Sequence, residues 1–472
     1  MTMTEPVPAR EFTLDLDAAI DGQRVGWRMA PLLAVALLAL VCDGFDLAAM
    51  GYIVPELVKA WQMEPVRFVS AFSAGIIGMM IGGPLLGFYG DRLGRRRVIV
   101  LGLCVIGLAT LATMAAQTVM HLVVLRFLTG IGLGGVIPNV VSLVAELAPR
   151  RARGRMVVAV TLGMPMGIAL PGLVAGWVVP ALGWPGLLLV GGLMPLGVAL
   201  LARAIVPESP KYLLERTGNQ SQARQVVRRL RPDLAIGDET RLVTVAHVAH
   251  QRGSARLLFG GVLVVVTPLL WICQAANQMA NFFSLTWLPT LLQSAGATTA
   301  QAGANASLFA LGGLGAGLVL MFVIDRLGVV PLVAMFVIGV PLVAGMASTD
   351  LGPAVHAAVI AGAGLCVTGI NFSLNALLPI FYPTAIRSLG TGWTHAAGRV
   401  GALAAPVVGG ILLGQNIPTS QLTWAPAALM GVGALASVVL AALCIRQFGG
   451  MRVAEFGEAA PGTTTRQAVN PA

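Results

Sequence analysis

Charge is the scarcest commodity in this chain. Only 11% of its 472 residues are Asp, Glu, Lys or Arg, while 57% are hydrophobic, and the mean hydropathy is +0.84. A soluble domain carries about 25% charged residues, so this profile excludes a soluble globular protein of this length. Cysteine is also rare. The five (Cys42, Cys104, Cys273, Cys366 and Cys444) all lie in apolar stretches at unrelated spacings. That excludes a disulfide framework or a metal-binding pattern and leaves small core hydrophobes. No nucleophile elbow, nucleotide loop or metal-ligand cluster occurs, which argues against a membrane-embedded enzyme and against any metal or organic cofactor.

What the chain does have is long apolar runs. Segments of 18 or more apolar residues recur along most of its length, each enough to cross a bilayer as a helix. Twelve spans are predicted, at roughly 29–54, 66–89, 97–116, 121–146, 156–180, 184–205, 260–292, 302–325, 329–348, 354–378, 386–413 and 424–446. A strand barrel would show alternating segments of about ten residues, and these runs are continuous. The 58 glycines suit close helix packing in lipid. The expectation is an all-α membrane protein in contact with the lipid bilayer.

The net charge of +10 invites a nucleic-acid reading, but its distribution does not support one. Every Lys and Arg except Lys59, Arg67, Arg126 and Arg399 falls in the N-terminal arm, the loops after even-numbered spans, or the C-terminal end. The positive-inside rule then predicts that both termini are cytoplasmic. The first 27 residues are polar and mixed in charge, with Glu11, Asp15, Asp17 and Asp21, so no cleavable signal is expected.

The longest internal polar stretch divides the chain. It predicts an arm over 1–28, a six-helix bundle over 29–205, a cytoplasmic linker over 206–257, a second six-helix bundle over 258–446, and a tail over 447–472. Within the linker, 221–230 reads as a short basic amphipathic helix capped by Ser221. The two bundles are related. Asp91-Arg92-Leu93-Gly94 recurs 234 residues later as Asp325-Arg326-Leu327-Gly328, and the same offset links Pro55 with Pro289, Pro149 with Pro383 and Arg153 with Arg387. Several matches at one offset argue for a duplicated six-helix unit, giving two pseudo-symmetric bundles.

Against this apolar background a few polar residues stand out. Asp43 and Asp46 share one face of the first span at spacing i, i+3. A carboxylate at the bilayer centre costs about 2.5–3.5 kcal/mol on insertion scales, so the pair reads as a proton site. Arg126 in the fourth span lies one to two turns from the same outer end and would reach the aspartates if the spans are neighbours. A static ion pair, or an Arg126 that snorkels outward, is the alternative. Arg399 lies about 18 Å into the eleventh span, where an organic carboxylate would satisfy its fork. Pairing with Asp43 or Asp46 is the other reading. His395, one turn away, is placed to relay protons or to hydrogen-bond as a neutral ring.

Gln274, Asn277, Gln278 and Asn281 form one polar face of the seventh span, and Asn371 with Asn375 repeat the pattern on the tenth. These amides line a path or bind helices together. Nearby aromatics, Trp393 among them, would wall a ring or serve as packing. Asp91, Arg95 and Glu146 fall at cytoplasmic helix ends and read as a conformational latch, with Asp325 and Arg387 at the matching ends of the second half. Pro138, Pro165 and Pro171 mark bends in spans 4 and 5.

Three motifs carry a family resemblance. Gly87-Phe-Tyr-Gly-Asp91-Arg92-Leu-Gly94-Arg95-Arg96-Arg97 resembles the signature loop of the major facilitator superfamily. Arg126-Phe-Leu-Thr-Gly130-Ile-Gly132-Leu-Gly134-Gly135 resembles its second motif, and Pro207-Glu208-Ser209-Pro210-Lys211-Tyr212-Leu213 one shared by sugar porters and organic-ion transporters. Asp43-Gly44-Phe45-Asp46 with Gly51-Tyr52-Ile-Val-Pro55, and Gly392-Trp393 with Gly398-Arg399-Val-Gly401, resemble the aromatic acid:proton symporters, bacterial importers of benzoate and hydroxybenzoates. The second-half loop departs from the pattern, since Val-Val-Pro follows Gly328.

The resemblance implies a monomeric importer in the bacterial inner membrane, taking up a small aromatic carboxylate with protons by alternating access. Asp43 and Asp46 would serve the proton. Arg399, Arg126, His395, Asn277, Asn281, Gln274 and Trp393 would serve the substrate. A proton antiporter exporting drugs or metabolites, and an importer of another organic acid or of a sugar, remain as alternatives.

Overall fold

The computed structural model describes residues 13–23, 29–234, 236–243, 255–348, 352–382, 386–415 and 417–448. Apart from a short strand pair and the turns that join the elements, they form helices, as lipid demands. With no water in the hydrocarbon, every backbone N–H and C=O must be satisfied within its own segment.

Ten described helices are long and apolar enough to cross a membrane, and Val330–Gly345 is a shorter apolar one. One of the ten, Arg150–Ile205, runs for 56 residues. At 1.5 Å per residue that is about 84 Å, far more than the ~30 Å hydrocarbon core. The chain turns back within it at Gly183, at φ 68° and ψ −174°. Only glycine takes that conformation without strain, so this stretch makes two crossings. Counted this way the described helices make twelve crossings, those of an all-α membrane bundle.

The chain divides into two compact units, Met1–Met50 with Ser70–Ala249, and Gly51–Val69 with His250–Ala472. The first begins with strand β1 (Thr13–Asp15), helix α1 (Leu16–Asp21) and the long helix α2 (Ala30–Trp61). Then follow α3 (Val69–Leu93), α4 (Arg95–Thr113), α5 (Val119–Leu147), α6 (Arg150–Thr161) and α7 (Gly163–Ile205). The linker adds α8 (Pro210–Glu215), α9 (Gln220–Leu230) and β2 (Arg241–Val243).

Helix α2 is pinned against α7 by two glycines. A Cβ on Gly44 would fall 2.1 Å from the Met164 carbonyl oxygen, and one on Gly167 would fall 2.1 Å from that of Val41. Such backbone contact fixes the depth and rotation of α2, and so aims Asp43 and Asp46. Helix α2 is also longer than its apolar run suggests, continuing past Val54 and through Pro55 to Trp61.

The described part of the arm runs from Thr13 to Gln23. β1 pairs in parallel with β2, Leu14 opposite Leu242. Asp15 caps α1 by accepting from the Asp17 N–H. The Asp21 carboxylate takes both the backbone N–H and the Nε of Arg150, at 2.9 and 3.0 Å. Gln23 is buried and donates from Nε2 to the Leu147 carbonyl at 2.5 Å. Helix α9 is basic and amphipathic, but its cap is Asn219, which accepts from the Gln222 N–H, rather than Ser221. An amide oxygen two residues earlier reaches the first-turn donors, so Ser221 becomes a helical residue.

The second unit holds α10 (Leu263–Ser294), α11 (Thr299–Leu327), α12 (Val330–Gly345), α13 (Pro353–Phe381), α14 (Arg387–Gly414), the single turn α15 (Thr419–Leu422) and α16 (Trp424–Phe448). In it α11 packs on α13, α10 on α14 and α16, and α12 on α13 and α16. The far half of α2 belongs here. A Cβ on Gly51 would lie 2.4 Å from the Leu285 carbonyl oxygen of α10.

Candidate functional site

In the first unit, Asp43 is 0% exposed and Asp46 3%. Arg126, on α5, is 4% exposed and does not snorkel outward. Its Nη1 donates to both oxygens of Asp46, at 3.1 and 3.3 Å. The Thr110 hydroxyl, from α4, donates to the same carboxylate at 2.8 Å. Three helices thus converge on Asp46. Two charges taken out of water cost several kcal/mol each, repaid only by close geometry and added hydrogen bonds. Arg126 grips Asp46 through one nitrogen alone, and its Nε and Nη2 are buried with no hydrogen bond to any described residue.

In the second unit the polar face of α10 is buried. Gln274 is 1% exposed and Asn277 0%. Neither amide atom of Asn277, nor the Gln274 Oε1, makes a hydrogen bond among the described residues. An unsatisfied buried polar group costs about 1–3 kcal/mol, so these amides weigh against stability alone as their reason for being there. Gln278 accepts from Asn371 at 3.4 Å, and Asn371 accepts from Asn375 at 3.3 Å. Asn281 is partly exposed. Helix α14 approaches closely at Gly398, where a Cβ would lie 2.8 Å from Gln274 Cγ and 3.1 Å from Gln278 Cγ. Arg399 follows directly, half-buried, with His395 exposed one turn away.

Trp393 is separated from these two. At 100° per residue it lies about 120° around α14 from Arg399. It shares a face with Val400, Val407 and Ile411, an exposed apolar stripe. Its ring stacks on Trp271 at 5.9 Å, and Phe259 meets Trp271 edge-on at 5.8 Å. This is an aromatic cluster on an apolar surface, the usual character of an interfacial belt. Phe283 and Trp287 are packed into the interior.

The ends of α3, α4 and α5 hold a charged network. Arg95 binds Glu146 through Nη1 at 2.8 Å and Asp91 through Nη2 at 3.3 Å. Two residues that the sequence reading gave no role join it. The Ser209 hydroxyl donates to Glu146 at 2.5 Å, and Glu208 accepts from the backbone N–H groups of Arg96 and Ser209 at 3.0 and 3.1 Å. The linker motif is therefore bound into the signature loop. Arg387 is exposed, and the side chain of Asp325 lies outside the described residues. Thr110 was missed as well, because a lone threonine in an apolar span carries no pattern.

Residues 36–269 match the Major Facilitator Superfamily model. The chain is 32% identical over 411 residues to the gallate transporter of Pseudomonas putida, covering 87% of this chain and 91% of that one. It is 34% identical over 415 residues to the 4-hydroxybenzoate transporter PcaK of Acinetobacter baylyi, covering 86% and 89%. Its fold is that of a solved D-xylose-proton symporter, with a TM-score of 0.65 at 18% identity over 87% of this chain and 97% of that one. Fold, motifs and relatives define a multi-pass membrane transporter, not an enzyme. The chain belongs to the major facilitator superfamily, and it is similar there to bacterial transporters of aromatic acids.

Proposed function

We propose that this protein is a proton-coupled symporter that imports a small aromatic carboxylate, of the benzoate and hydroxybenzoate class, across the bacterial inner membrane. The observation that carries the proposal is the buried Asp46–Arg126 pair, a carboxylate whose charge is balanced by one nitrogen of one arginine. A proton on Asp46 would break that balance, which is what coupling requires. Asp43, one turn away and fully buried, shares the role.

Within the second unit, the substrate anion is assigned to Arg399, helped by His395 and the α10 amides Gln274, Asn277 and Asn281; Arg126, in the first unit, is the other candidate cation. A guanidinium offers a carboxylate two parallel hydrogen bonds, and the amides supply further donors. The aromatic nature of the substrate is supported by the relatives that carry gallate and 4-hydroxybenzoate. In this reading both termini are cytoplasmic and a monomer suffices. The network of Asp91, Arg95 and Glu146, with Asp325 and Arg387 at the corresponding ends, acts as the latch that breaks and reforms during alternating access.

The test is uptake of labelled 4-hydroxybenzoate and benzoate into proteoliposomes under an imposed pH gradient. Accumulation that follows the inward proton gradient is expected. Accumulation driven by an outward-directed exchange instead would favour the antiporter.

A further inference from the structure

Serine and threonine hydroxyls inside membrane helices usually return to their own backbone, donating to the carbonyl four residues earlier. Several of those described here do so. Thr113 donates to Ala109, Thr129 to Leu125, Ser284 to Ala280 and Thr394 to Gly390, at 2.8–2.9 Å. Thr110 does not. Its hydroxyl leaves α4 and donates to the Asp46 carboxylate on α2 at 2.8 Å. The side chain is 1% exposed, so no bulk water competes for this bond.

Packing holds the rotamer. The Thr110 Cγ2 methyl lies against Gly191 of α7, 3.6 Å from where a Cβ would stand there, and the Phe45 ring fills the rest of that surface at 2.8 Å. With the methyl seated on α7, the hydroxyl is left facing α2. A β-branched side chain in a helix has few alternatives.

We infer that Thr110 is a positioning residue that holds the Asp46 carboxylate against Arg126, so that proton coupling depends on this hydroxyl. The inference rests on the proton-coupled reading above and names a member of that site which neither motif nor periodicity reveals. Arg126 holds the same carboxylate from α5. Asp43 and the Cys42 thiol, on α2 itself, are the other titratable groups nearby. Helix α4 brings no charged side chain to this depth, and the charged residue of α7, Arg203, lies twelve residues beyond Gly191, about 18 Å along the helix. Among the described residues, Thr110 and Arg126 are the two whose side chains donate to Asp46.

The experiment is the pH profile of gradient-driven 4-hydroxybenzoate uptake in proteoliposomes for the intact protein and three variants. Thr110→Val keeps the shape and deletes the donor. Its alkaline limb is expected to shift from the parent's position, which a loss of packing alone would not produce. At acidic pH its KM should stay within about two-fold of the parent, because the substrate is not touched. Thr110→Ser should restore the parent profile. If Thr110→Val does not fold, Thr110→Ala, which only removes atoms, carries the same expectation. An unmoved profile in a folded variant overturns the inference while leaving proton-coupled uptake intact. So does an equal fall in uptake at every pH that serine fails to rescue. A parent protein that takes up 4-hydroxybenzoate with no pH dependence, or not at all, overturns the inference together with the reading beneath it.

Discussion

Arg126 Nη1 lies 3.1 Å from Asp46 Oδ2, with both side chains at or below 5% exposure. Such a pair is costly to assemble and costlier to break on one side, since the survivor stays charged in a low dielectric. Arg126→Ala is therefore expected to destabilise the protein by about 3–5 kcal/mol, seen as a clear fall in Tm in detergent. Adding Asp46→Asn should recover much of that loss. Additive losses in the double variant would show that the two residues are not energetically coupled.

Asp46→Asn alone should separate driving force from binding. Gradient-driven accumulation is expected to disappear, while exchange of labelled for unlabelled 4-hydroxybenzoate continues. Full accumulation by this variant would remove Asp46 from the proton path.

Arg399→Lys keeps the charge but loses the planar fork. A rise of about ten-fold in the KM for 4-hydroxybenzoate, equivalent to ~1.4 kcal/mol, is expected, with little change in maximal rate. An unchanged KM would move the carboxylate to another arginine.

Gly51 packs the far half of α2 on α10, where Lys59 also bonds the Gln293 side-chain oxygen at 3.3 Å and Glu56 bonds Thr299 at 3.3 Å. Gly51→Val places carbon atoms on the Leu285 carbonyl and should prevent that seating. Uptake is expected to fall more than about ten-fold, since overpacking costs ~1–3 kcal/mol or more. Gly315→Ala, where a Cβ meets nothing within 4 Å, serves as the matched control and should be close to silent.

Gln23→Ala tests whether the arm braces the helix ends. It removes a buried hydrogen bond to Leu147 and strands a carbonyl, at a cost of about 1–3 kcal/mol. A lower Tm with normal substrate KM is the expected pattern.

Much of this protein was determined locally by its sequence. Long apolar runs in a chain with little charge can only be spanning helices, because lipid offers the backbone no other partner. The offset between Asp91 and Asp325 reported the duplication, and the cost of a carboxylate in an apolar span marked Asp43 and Asp46 before any contact was known. Those signals are visible because each depends on one segment and its solvent.

The tertiary structure decided which polar groups meet. It gave Arg126 to Asp46, brought Thr110 out of its own helix to the same carboxylate, and joined Glu208 and Ser209 to the signature loop. It turned Trp393 away from Arg399, to stack on Trp271. It also assigned the two halves of α2 to different units, a division that no run of apolar residues records. Each outcome depends on how closely two helices approach and how they are rotated, and glycines such as Gly44, Gly167 and Gly398 set that approach by what they lack. A missing side chain carries no pattern along the chain, and its effect appears only when a second backbone occupies the space.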